Sequence, residues 1–179
     1  MKFLKFILFS LGCLFFMNPV NAQMSANPPE VGKKIRAMGT DFNRKVIGTT
    51  MKIYGPLLAK APKDGVTVSS NQSYGPHERN VLDIYQPKSK SGSLPIVIFF
   101  HGGGFVRGDK KTQGNLGTYF ARNNVVGMMA NYRLAPKSKW PSGPEDIATA
   151  IKWVKQNGTK FGGDPRKIFL MGGSAGTGH

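Results

Sequence analysis

Ser174 sits at the centre of Gly172-Gly173-Ser174-Ala175-Gly176, a G-x-S-x-G pattern that follows the apolar run KIFLM. A serine hydroxyl is a weak nucleophile unless its surroundings expose and activate it. A strand running into a sharp turn would do the first. Gly172 and Gly176 would leave room for the turn, and Ser174 would take a strained backbone conformation with its hydroxyl clear of the sheet. Upstream, His101-Gly102-Gly103-Gly104-Phe105 follows a second apolar run, LPIVIFF. Successive glycines carry no side chains to hold a substrate away from the backbone, so their N–H groups can converge on one oxygen. With the N–H of Ala175, those of Gly103 and Gly104 would hold the negative oxygen of a tetrahedral acyl intermediate. Either motif alone is a weak signal in a chain with 23 glycines. Each following a buried strand, in this order, they point to acyl transfer at Ser174.

An activated serine needs a histidine to take its proton and an acid to orient that histidine. The chain has three histidines. His101 reads as a hydrogen-bond donor that stabilises its own turn, and His77 as a surface turn residue. His179 falls on a helix expected to begin at Ser174. Side chains there lean over the preceding turn and not across the elbow, so His179 is not expected to serve as the base. Residues 175–179 contain no acid. The expectation is a fragment of a longer hydrolase, with roughly 100 to 150 further residues, that carries the nucleophile and oxyanion donors without the triad acid and base.

The elements that must position these motifs follow from apolar periodicity. GVTVSSNQSYG and RNVLDIYQP alternate apolar and polar residues, as half-buried strands do, with a turn at Gly75-Pro76. LPIVIFF, VVGMMANY and KIFLMGG are uninterrupted, as in strands covered on both faces. Helical segments lie between them. The clearest is GPEDIATAIKWVKQNG. There Pro144 suits the first helical position, Ile147, Ala150, Ile151 and Val154 form one apolar face, and Gly158 is the expected stop. Strand and helix in alternation predict an α/β fold, a mostly parallel sheet with helices on both faces, incomplete at its C-terminal side. Both glycine turns would lie at the carboxyl ends of strands, where such sheets bind ligands. A strand at KIFLM with no neighbour beyond it would be an open apolar edge.

The motifs HGGGFVRGDK, NYRLAPKSKWPSGPEDIATAIKWV, FGGDPRKIFLMGGSAG and VLDIYQP together resemble the α/β-hydrolase superfamily. The likeness is to its esterases and lipases with an HGGG motif, the hormone-sensitive-lipase-like carboxylesterase group, and it covers about residues 66–179. The resemblance implies that Ser174 is the nucleophile and that Gly103, Gly104 and Ala175 are the oxyanion donors. It also implies that Asp146 and Asp164 are structural. The implied reaction is hydrolysis of a small carboxylic ester through an acyl-enzyme, with no metal or organic cofactor. A non-catalytic binding or scaffold protein of the same fold, lacking acid and base, is the alternative.

Residues 1–22, MKFLKFILFSLGCLFFMNPVNA, have a basic start, an apolar run and small residues before Gln23, as in a cleaved export signal. Cleavage after Ala22 would deliver a periplasmic or secreted protein that meets the membrane only through that signal. Cys13 is the only cysteine, so nothing after the cleavage point could form a disulfide or a thiolate metal site. Residues 23–60 read as a leader with one or two weak helices, a possible flap, and residues 61–179 as the N-terminal portion of the hydrolase domain. The formal charge of +16 comes from scattered Lys and Arg, without a nucleic-acid motif. It reads as a solvated basic surface, and no nucleic acid is expected as partner.

Overall fold

Isoleucine and phenylalanine at alternate positions of LPIVIFF put two different apolar sets on the two faces of one strand. The computed structural model, which describes residues 28–89 and 92–179, shows where each set goes. The export signal expected over residues 1–22 lies outside the described residues. Strand β3 (Leu94–Phe100) turns Ile96, Ile98 and Phe100 into one core together with Val126, Met128 and Ala130 of β4 (Val126–Ala130). Helix α4 (Ser142–Asn157) covers that face with Ile147, Ala150, Ile151 and Val154, the four residues predicted as its apolar stripe. Phe99 and Met129 face the other way, against Leu116, Phe120 and Ala121 of α3 (Gly114–Arg122). Each fully buried Ile or Met contributes about 1.5–3 kcal/mol, so the doubly covered strands anchor the fold.

Five strands form the sheet, in the order β1-β2-β4-β3-β5, with β1 at Val66–Ser73, β2 at Val81–Pro87 and β5 at Gly163–Gly172. β4, β3 and β5 run parallel, joined through α3 and α4, while β1 and β2 add an antiparallel hairpin beside β4. The sheet is therefore mixed, parallel where it carries the two glycine turns. β2 departs from the half-buried pattern read from its alternation. From Leu82 to Pro87 it is buried throughout, because α3 covers the face that carries Asp83 and Tyr85. Asp83 is tolerated there because Lys110, itself 2% exposed, reaches it with Nζ at 2.6 Å. Gly117 lets α3 come close, since a Cβ there would lie 2.4 Å from the Tyr85 ring.

Helix boundaries also differ from the reading. α4 starts at Ser142, so Pro144 is its third residue. An N–H in the first turn has no partner inside the helix, which makes proline acceptable there too. Gly158 keeps right-handed backbone, and the chain continues as a 3-10 turn, Gly158–Phe161, that ends at left-handed Gly162 with φ +80. β5 pairs with β3, and among the described residues no strand lies along its other side. Phe169, Leu170 and Met171 are 59%, 54% and 49% exposed, the open apolar edge that the sequence predicts.

The chain divides into two units, Met1–Gly55 and Pro56–His179. The helices expected before residue 60 are α1 (Pro29–Ala37) and α2 (Arg44–Ala59), and neither has a buried residue. The Asn43 side chain caps α2 by accepting a 2.9 Å hydrogen bond from the Val46 N–H.

Candidate active site

The elbow after β5 is built from backbone geometry that only certain residues allow. Gly173 is extended, Ser174 has φ +50, and a single 3-10 turn, Ser174–Gly176, follows. Positive φ is rare for a residue with a Cβ and signals strain held by its surroundings. Those surroundings are visible. The Gly173 N–H donates to the Phe100 carbonyl at 3.1 Å, which ties the elbow to the end of β3. A Cβ at Gly172 would fall 2.5 Å from the Gly176 carbonyl carbon, and one at Gly176 would fall 2.2 Å from the Phe100 oxygen. Both positions of the motif therefore require glycine. Ser174 is exposed, and among the described residues nothing hydrogen-bonds its hydroxyl.

The HGGG turn leaves β3 beside that serine. A Cβ on Gly102 would sit 3.2 Å from the Ser174 Cβ. Gly103, Gly104, Phe105 and Gly108 all have positive φ, so the segment folds back on itself. The Gly103 carbonyl closes the turn by accepting from the N–H groups of Val106 and Arg107, at 3.3 and 3.2 Å. Among the described residues the N–H groups of Gly103, Gly104 and Ala175 have no acceptor. Two glycine amides and the amide after the serine are thus left as free donors on adjoining turns.

His101 is 1% exposed and holds the turn, the place read for it in the sequence. Its Nδ1 lies 2.8 Å from the Gly102 oxygen, its ring stacks on Tyr132 with centroids 4.6 Å apart, and the Tyr132 hydroxyl donates to the His101 carbonyl at 2.9 Å. Burial pushes its pKa below the ordinary value, so the ring is neutral at pH 7. His77 is exposed, and its Nδ1 accepts from the Arg79 N–H at 3.1 Å.

His179 lies elsewhere than expected. The helix foreseen after Ser174 is the one 3-10 turn, and the His179 ring packs edge-on against Phe105 and Tyr132, at 4.9 and 4.7 Å. Aromatic packing and not helical geometry decides its position. Its two ring nitrogens are buried without a hydrogen-bond partner. Asp146 is committed to Arg133, accepting from its N–H at 2.7 Å and from its Nε at 2.8 Å. Asp164 is likewise taken up by Arg166. Neither faces Ser174 through a hydrogen bond.

Sequence reasoning missed three residues around the turn. Arg79 reaches it from the segment before β2. Asn131 accepts from the Lys110 N–H and donates to Asp109. Tyr132 supports His101 from the end of β4. A single sequence gives no signal for Arg79, because its partners, two carbonyl groups and the His101 ring, lie 22 to 53 residues along the chain. Asp109 and Lys110 lie within HGGGFVRGDK, but their role depends on partners that only the fold brings together. A cavity of about 280 Å³ opens next to the turn, lined among others by Phe105, Arg133, Trp140, Ser142 and His179. Among the described residues no group of three His, Cys, Asp or Glu side chains is arranged to hold a metal ion.

Comparison with known proteins places these features in context. The family model BD-FAE matches residues 82–179, which is more than half of the chain. A probable isoprenylcysteine alpha-carbonyl methylesterase of Arabidopsis thaliana is 39% identical over 103 residues, covering 58% of this chain and 24% of that one. The carboxylesterase NlhH of Mycobacterium tuberculosis is 38% identical over 98 residues, covering 52% of this chain and 30% of that one. The chain thus spans about a quarter to a third of the length of these curated relatives. Among solved structures, esterase B from Lactobacillus rhamnosis superposes with a TM-score of 0.63 at 25% identity, over 82% of this chain and 46% of that one. A bacterial heroin esterase gives the same TM-score and identity, over 84% and 50%.

Proposed function

Because the chain belongs to the BD-FAE family, a hormone-sensitive-lipase-like group of α/β-hydrolase esterases, we propose that it carries the nucleophile and the oxyanion donors of a carboxylic ester hydrolase. The observation that carries the proposal is the junction of the two turns. Ser174 stands exposed at φ +50, tied to β3 by the Gly173 N–H, beside three amides without acceptors. In the reaction Ser174 Oγ attacks the carbonyl carbon of a small ester. The negative charge on the carbonyl oxygen is held by the N–H groups of Gly103, Gly104 and Ala175, each such donor lowering the barrier by about 3–4 kcal/mol. The general base takes the Ser174 hydroxyl proton during the attack and returns it to the leaving oxygen as the tetrahedral intermediate collapses with loss of the alcohol. Water then hydrolyses the acyl-enzyme to the acid and free Ser174.

Of the three histidines, His101 has both ring nitrogens engaged, His77 sits in a surface turn and His179 is enclosed by aromatic rings. We therefore assign the general base and its acid to groups outside these 179 residues. The methylesterase, carboxylesterase and esterase relatives support a small ester as substrate, with its acyl or alcohol part in the cavity beside Phe105.

Turnover of short-chain aryl esters by the full-length gene product tests the reading. Ser174→Ala should lower kcat by at least about 10⁴-fold. A Ser174→Ala protein that keeps its turnover would refute the reading, and a wild-type protein with none would favour the binding or scaffold alternative. Export after Ala22 is proposed on the leader alone. Protein recovered from the periplasm or medium should begin at Gln23, and an intact Met1 would contradict it.

A further inference from the structure

Arg79 lies in the segment before β2, 22 residues before His101, yet its guanidinium binds both ends of the HGGG turn. Its Nε donates to the Tyr132 carbonyl at 2.7 Å, and its Nη2 donates to the Gly108 carbonyl at 3.0 Å and lies 3.2 Å from His101 Nε2. Arginine offers donors only and has no acceptor. His101 Nε2 must therefore accept, and cannot carry a proton. The proton of the neutral ring is then on Nδ1, which donates to the Gly102 carbonyl at 2.8 Å. The other tautomer would set N–H against N–H at Arg79 and lone pair against lone pair at Gly102. Both contacts select the same ring.

The consequence reaches the next residue. The peptide unit is planar and trans, so the Gly103 N–H points opposite to the Gly102 C=O. Fixing that carbonyl fixes the direction of the Gly103 N–H. The turn is tightly closed around this contact, since a Cβ on Gly108 would lie 2.2 Å from His101 Nδ1 and 2.3 Å from the Gly102 oxygen. We propose that Arg79 is a positioning residue for the oxyanion turn, holding His101 as its Nδ1–H tautomer and thereby aiming the Gly103 N–H at the substrate oxygen. The catalytic half of this statement rests on the esterase reading above, whereas the tautomer does not.

The test uses the full-length gene product labelled with ¹⁵N-histidine, as wild type, Arg79→Met and Arg79→Lys. Long-range ¹H–¹⁵N spectra report which ring nitrogen of His101 carries the proton, whether or not the protein turns over. The wild type should show Nδ1–H alone, and Arg79→Met, in which only the Gly102 carbonyl still favours Nδ1–H, should show a mixture of the two tautomers. Nδ1–H alone in Arg79→Met would overturn the assignment of the tautomer to Arg79. With an aryl ester, Arg79→Met should lower kcat by about 10- to 100-fold with KM within about twofold. That is short of complete loss of a donor, about 10²–10³, and is the split expected for an interaction made in the transition state. Arg79→Lys, which retains a cationic donor, should recover part of both signals, and it serves as the comparison if Arg79→Met does not fold. A wild-type ring protonated at Nε2 would overturn the proposal. So would an Arg79 variant that loses the tautomer and keeps wild-type kcat. A wild type without turnover would sink the esterase reading and leave the tautomer result to judge Arg79 as a holder of the turn.

Discussion

Replacing Gly103 and Gly104 one at a time by alanine separates the geometry of the oxyanion turn from its stability. At Gly103 the backbone has φ +139, and an added Cβ would lie 1.9 Å from the Arg107 oxygen. Ordinary contact begins at 3.4 Å, so about 1.5 Å of movement is needed. The obstacle is backbone, and it is stapled, because the Arg107 N–H itself donates to the Gly103 carbonyl at 3.2 Å. Moving an amide by even about 1 Å takes an N–H···O bond from ~2.9 Å out of hydrogen-bonding range. Gly103→Ala should therefore cost most of one oxyanion donor, about 2.7–4 kcal/mol or 10²–10³ in kcat. Gly104 has φ +63 but nothing within 4 Å of its added Cβ. Gly104→Ala pays only left-handed strain, about 1–2 kcal/mol of stability, with kcat within about tenfold of wild type. Steady-state kinetics on a short aryl ester, with thermal melts of the same full-length proteins, measure both. A folded Gly103→Ala protein with kcat within about threefold of wild type would refute the assignment of that amide. Equal losses at the two positions would refute the steric argument.

Lys110→Met removes one side of a pair whose members are 2% and 7% exposed at their side chains, leaving the Asp83 carboxylate buried without its counter-charge, though still accepting from the Asn71 N–H. Urea unfolding should show a loss of about 3–5 kcal/mol, most of it recovered by adding Asp83→Leu, and a loss under about 1 kcal/mol would contradict the pairing. His101 has its folded pKa lowered, chiefly by burial, from the 6.5 of the free side chain. Between the two values the unfolded chain binds a proton that the folded protein refuses, so stability is full above about pH 6.5 and falls as the pH drops below it. The Gly102 carbonyl, Asp109 and Asn131 favour protonation of the ring, and burial together with Arg79 outweighs them. Wild type and His101→Gln should diverge in their stability–pH curves below about pH 6.5, and parallel curves would argue against a ring buried neutral.

Much of the scaffold could be read from residue order, because periodicity reports which faces are buried. The runs at 94–100 and 125–132 are apolar on both faces, and helices α3 and α4 occupy both sides of β3 and β4. β2 was harder to read. Asp83 made it look half-solvated, and only the fold brings Lys110 across to neutralise it. The elbow was legible for a related reason. Gly172, Ser174 and Gly176 act within one turn, so their spacing is the geometry. The support of the HGGG turn was not, since it depends on Arg79, Asn131 and Tyr132, which reach it across β2 and β4. Long-range hydrogen bonds to carbonyl groups leave no pattern of residue types. His179 shows the converse error, where a local helical rule gave way to contact with Phe105 and Tyr132.

The central claim is that Ser174 is the nucleophile of an acyl-transfer site, and covalent labelling reads this directly. The full-length gene product, treated with a fluorophosphonate and analysed by intact mass and peptide mapping, should gain one adduct, located on Ser174. Ser174→Ala should gain none and should lose its ester turnover. No adduct on the wild type, or an adduct on another residue while Ser174→Ala still turns over ester, would contradict the account.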